Sequence, residues 1–94
     1  MRHYVAIVED AGPETAIGVW FPDLLGCFSA GDTVEEAMQN AADAIGLYAE
    51  AIEKDGRSLP APRTLAELRE DPTFTDDVKG NLVALVSART AVAA

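Results

Sequence analysis

The chain has 94 residues, 49% of them apolar, and its 16 acidic side chains outnumber 7 basic ones to give a formal charge of −9. That length supports one modest core, so a single domain over residues 1–94 is expected, and the apolar share excludes a disordered chain. The acidic excess excludes the clustered Lys and Arg that grip phosphates, so no direct nucleic-acid binding is expected, and it favours a basic protein partner.

Tyr4 to Val8 is rich in β-formers and ends at Glu9-Asp10, before Ala11-Gly12-Pro13-Glu14. A strand and a hairpin loop follow from this. Ala16 to Phe21 is the second strand. Ile17, Val19 and Phe21 share the face expected to meet the core, and Gly18 and Trp20 share the other. A ring at Trp20 either meets a partner or lies partly covered over Gly18. Pro22 cannot donate to a ladder and ends the strand. Asp23 is suited to folding its carboxylate onto nearby backbone N–H groups, and Gly26 to a positive φ, so the chain reverses there. Cys27 to Ala30 is a short return strand, and Gly31-Asp32 the next turn. Cys27 is the only cysteine. It excludes an internal disulfide, fits a reducing cytoplasmic setting, and is most simply a small buried hydrophobe.

Thr33 and Glu36 have capping-box spacing and open a helix from Val34 to about Lys54. Val34, Ala37, Met38, Ala41, Ile45, Tyr48 and Ile52 form its apolar stripe, and Ala42, Ala44 and Ala51 widen it. Gly56 ends it. Leu59-Pro60-Ala61-Pro62 is extended. Thr64 and Glu67 repeat the cap and open a short helix, Leu65 to about Glu70, which Asp71-Pro72 ends. Phe74 tucks a ring under this connection, and Lys79-Gly80-Asn81 turns. Leu82 to Val86 is a continuous apolar run, expected as a strand covered on much of both faces. Arg89 to Ala94 has no evident anchor. No apolar run of signal-peptide length follows Met1-Arg2-His3, and no stretch approaches the roughly 20 apolar residues that span a bilayer.

The string Phe21-Pro22-Asp23-Leu24-x-Gly26-Cys27-x-x-x-Gly31-Asp32-Thr33-x-Glu35-Glu36-Ala37 resembles the HicB antitoxin family, partner of the HicA mRNA-cleaving toxin. The resemblance runs from Tyr4 to Pro62. Leu25 stands where the family usually has proline, which loosens the turn and leaves an apolar side chain near the surface. The resemblance implies an α+β fold of order β-β-β-α-β, resembling a partial ribonuclease H. Its features would be an antiparallel meander, one long helix on the sheet, a short helix before the last strand, and a last strand parallel to the first. It implies a binding module that covers a basic HicA-like toxin, with Trp20, Phe21, Pro22, Asp23, Leu25 and Gly26 as the contact region. Gly31, Asp32, Thr33 and Glu36 would be motif residues serving the fold. A homo-oligomer, dimer or tetramer, is expected. The alternative is a stand-alone oligomer with a structural or small-ligand role and no toxin. Many family members carry a further DNA-binding domain, which is not seen in these residues.

A ribonuclease-H-like fold raises the question of two-metal catalysis, which needs several converging carboxylates. Glu9 and Asp10 lie only at the strand end, Glu35 and Glu36 at the helix start, and Leu82 to Ala88 has no acid. His3, the only histidine, lacks a paired nucleophile. No Cys/His group has metal-ligand spacing. No catalytic residue, metal or cofactor is expected.

Overall fold

The computed structural model describes residues 3–88. Its elements are β1 (His3–Glu9), β2 (Ile17–Trp20), β3 (Phe28–Gly31), α1 (Val34–Lys54), α2 (Leu65–Leu68), α3 (Pro72–Asp77) and β4 (Leu82–Ser87). The four strands form one sheet in the order β3-β2-β1-β4, antiparallel at every junction.

β1 is buried on both faces. Tyr4, Ala6 and Val8 meet Ile17, Val19, Phe21 and the α1 residues Ala37, Ala41 and Ile45. Val5 and Ile7 point the other way, under Leu68 and Phe74. The alternation expected for β2 holds, with Ile17 and Val19 in the α1-side core and Trp20 packed partly buried against the second cluster. The α1 stripe holds from Ala37 on: Ala37, Ala41, Ile45 and Ile52 are buried and the alanines let the helix lie close to β2 and β3, but Val34 in the first turn and Ala51 are exposed.

The α+β class, the meander, the long helix and the short helix before the last strand are present, but β4 is antiparallel to β1, not parallel. Its register runs from His3 opposite Ser87 to Val8 opposite Leu82. A parallel crossover would start β4 where α1 delivers the chain, at the N-terminal end of β1. There the Tyr4 hydroxyl donates to the Pro60 carbonyl. Residues 55–81 then travel along the second face, placing Leu68 and Phe74 over Val5 and Ile7, and reach the far end of β1 before β4 begins.

β4 is also not covered on both faces. It is an edge strand, with Leu82, Val83 and Leu85 exposed by 60, 44 and 66%. A continuous apolar run reads the same in a central strand as at an uncovered edge. The short helix ends at Leu68, and a second one, α3, begins directly after it. Pro72 stops the first and, at N1 with Asp71 as N-cap, starts the second. Arg89 to Ala94 lie outside the described residues.

At the start of α1, the Thr33 hydroxyl accepts the Glu36 N–H at 3.1 Å. The Glu36 carboxylate accepts the N–H of Asp32 at 2.9 Å, one residue earlier than in a full capping box. Gly31 is needed for close approach: a Cβ there would lie 2.5 Å from the Ala37 nitrogen. We expect Gly31→Ala to lower the unfolding free energy by about 1–3 kcal/mol in urea titration. Gly18→Ala, whose Cβ meets nothing within 4 Å, should leave it near the parent value.

Candidate partner-binding surface

Residues 21–27 fold through two successive turns. The Leu24 N–H donates to the Phe21 carbonyl at 3.2 Å and the Cys27 N–H to the Leu24 carbonyl at 3.1 Å. Gly26 takes the left-handed conformation the second turn requires, φ +84°. Phe21, Leu24 and Cys27 point into the core, where burial pushes the Cys27 thiol pKa up. With these three as anchors, Leu25 and Phe28 are turned outward, 83 and 70% exposed. The Tyr48 hydroxyl of α1 fixes the loop's crown by donating to the Leu25 carbonyl at 2.9 Å.

Asp23 does not fold onto its own loop. Its carboxylate reaches across the sheet end to Arg63, accepting the backbone N–H at 2.8 Å and Nε–H at 2.6 Å. The Nη1 of Arg63 continues to Asp71 at 3.1 Å, and the other Asp71 oxygen caps α3 through the Thr73 N–H. One guanidinium thus joins the motif loop to the second-face helices. Hydrogen bonds to Asp23 and then Asp71 raise the Arg63 pKa. Asp71 is held below the usual carboxylate range, first by Arg63 and then by the Thr73 N–H. Glu67 is lowered chiefly by the Thr64 N–H it accepts in the α2 capping box.

Of the six residues expected at a contact region, Trp20, Phe21, Pro22, Leu25 and Gly26 line one depression of about 200 Å³. Asp23 is not among them and lies on the other side of the loop with Tyr48 and Arg57. Its carboxylate is engaged by Arg63, 40 residues downstream, a separation no local spacing signals. Seven further residues line the depression, among them Phe28, Phe74, Asp71 and Asp77, which sequence reasoning did not place at a contact region. Phe28 was findable, because pairing it with Trp20 across the hairpin sets both rings on one face. The two acids come from α3 and its N-cap, and the sequence reading did not resolve that helix. Gly31, Asp32, Thr33 and Glu36 sit apart from the depression, at the entry to α1, and serve that junction.

Among the described residues no three His, Cys, Asp or Glu side chains group as metal ligands, and no helix is long and apolar enough to cross a membrane. The arrangement offers aromatic and aliphatic surface beside carboxylates, which suits docking. Fold and rim together define a small α+β protein that presents an apolar, acid-edged face at one end of its sheet.

The chain belongs to the HicB-like antitoxin family of bacterial toxin–antitoxin systems, whose model matches residues 4–92. It is 37% identical over 67 residues to antitoxin HicB 2 of Photorhabdus laumondii, covering 71% of this chain and 46% of that one. It is 42% identical over 55 residues to an uncharacterised 14.9 kDa protein of Haemophilus phage HP1, covering 58% of this chain and 41% of that one. Among solved structures, the Burkholderia pseudomallei antitoxin HicB superposes with a TM-score of 0.75 at 28% identity, over 94% of this chain and 64% of that one. A chain of the HicA3 and HicB3 toxin–antitoxin complex superposes with a TM-score of 0.70 at 26% identity, over 93% of this chain and 98% of that one. The chain therefore spans less than half the length of these two sequence relatives.

The Asp23–Arg63–Asp71 bridge makes two testable demands. Asp23→Ala leaves two Arg63 N–H groups without their acceptor and should cost about 1–3 kcal/mol in urea unfolding. Asp71 and Glu67 hold fewer protons folded than unfolded as the ordinary carboxylate range is crossed, so stability rises with pH there. Their contribution should be present in full above about pH 5 and fade below about pH 4, and Asp71→Asn should flatten that fall in melting temperature.

Proposed function

We propose that this chain neutralises a basic HicA-like mRNA interferase by binding it directly and covering its RNA-cleaving surface. The depression between Trp20 and Phe28 is the contact region in this reading. The carrying observation is the exposure of Leu25 and Phe28 beside Asp71 and Asp77 on the rim of a HicB-family fold. Exposed rings and aliphatic groups supply the dry centre of a protein interface, and the acids match a basic partner. The likeness to the HicA3 and HicB3 complex supports a toxin of that type as the partner.

In this reading the chain performs no reaction. With a formal charge of −9 it draws a basic partner in and makes no nucleic-acid contact itself. A cytoplasmic setting fits both an RNA-directed partner and a lone buried thiol.

Calorimetry of the chain with a HicA-like protein should give a tight complex that weakens as salt rises, together with loss of RNA cleavage. Leu25→Ser with Phe28→Ser should weaken binding at least tenfold, about 1.4 kcal/mol, with little change in melting temperature. No binding at low salt would overturn the neutralising role. Full affinity in the double variant would move the interface away from the depression.

A further inference from the structure

We propose that the Trp20–Phe28 depression is a pocket for a single arginine side chain, by which a basic partner anchors itself to this face. The source of that arginine rests on the neutralising role proposed above, whereas the preference for arginine rests on the depression alone. Its volume of about 200 Å³ lies below the roughly 300–1,000 Å³ of pockets that bury whole small molecules. It suits one large side chain, the way interface anchors commonly sit.

The lining sets the chemistry. Trp20, Phe28 and Phe74 supply aromatic surface, Asp71 and Asp77 supply carboxylates, and no Lys, Arg or His stands among the lining residues. The two acids differ in state. Asp71 is matched by Arg63 at 3.1 Å and by the Thr73 N–H at 2.9 Å. Asp77 is partly buried, yet its carboxylate accepts no hydrogen bond and joins no ion pair among the described residues. The nearby donors go elsewhere: the Asn81 amide donates to the Asp77 backbone carbonyl at 2.7 Å, and Lys79 pairs with Asp76. The fold gains little from a negative charge at this position, because Asp77 ends α3, and the carbonyls at that end of a helix favour cations.

These features discriminate among side chains. An aliphatic or aromatic anchor would seal Asp77 from water unpaired, which is costly. An acid is repelled. A lysine meets the carboxylate as a point charge but has no flat face for the rings. A guanidinium both lies on aromatic surface and forks onto carboxylate oxygens, while its aliphatic stem packs on the apolar lining.

Trp20 is the only tryptophan, so its fluorescence reports the pocket directly. Titrating the chain with N-acetyl-arginine amide at millimolar concentration and fixed ionic strength should give a saturable change. The citrulline, lysine and leucine counterparts should need at least tenfold higher concentrations. Asp77→Asn should remove the preference for arginine over citrulline without lowering the melting temperature. Asp76→Asn deletes the same charge at a 79% exposed neighbour outside the depression and should keep that preference. In calorimetry with a HicA-like protein, Asp77→Asn should weaken the complex at least tenfold. No response to arginine, an equal response to any counterpart, or full affinity of Asp77→Asn for the HicA-like protein would overturn the pocket and leave the neutralising role standing. An arginine preference that depends on Asp77, in a chain that binds no HicA-like protein, would instead remove that role and keep the pocket.

Discussion

The second face of the sheet is held by a single guanidinium. Arg63 lies between Asp23, which ends the β2 side, and Asp71, which caps α3, and it spends its backbone N–H as well as its side chain on the first of them. The constraint behind this is the burial of β1 on both faces: Val5 and Ile7 need a lid as much as Tyr4, Ala6 and Val8 do. On one side α1 supplies it with 21 residues. On the other, α2 and α3 have four and six, too few to be stable as isolated helices. They stay helical because the α2 capping box, the Asp71 N-cap of α3, Leu68 and Phe74 in the core, and the Arg63 bridge fix them to the rest.

Two lids of unequal size on one sheet leave uncovered margins. Across the second face runs a cross-strand row of Phe28, Trp20, Ile7 and Val83. Ile7 is fully buried, Trp20 partly, and the two ends are exposed by 70 and 44%. The exposed apolar groups are thus what remains when short helices cover only the middle of a four-stranded sheet. The depression proposed as the contact region lies at the Phe28 end of this row. The acids follow a similar logic: α3 carries Asp76 and Asp77 and is capped by Asp71, so the Phe28 end is edged with carboxylates, while the Val83 end has Arg63 and His3 near it.

Much of this was legible in the chain. The α1 stripe, the β2 alternation, the reversal at Gly26 and the Thr64 cap all follow from local periodicity or turn chemistry, and all are present. What was not legible depends on distant pairings. Asp23 has the composition of a turn former, and nothing nearby reveals that Arg63 claims it. Pro72 reads as a stop signal, although a proline ends one helix and begins another with equal ease. The direction of β4 is set by the path of residues 55–81 over the second face, which no residue of β4 encodes. Its exposure is hidden for the same reason, since hydrophobicity states what a strand tends to bury and not whether a neighbour is there.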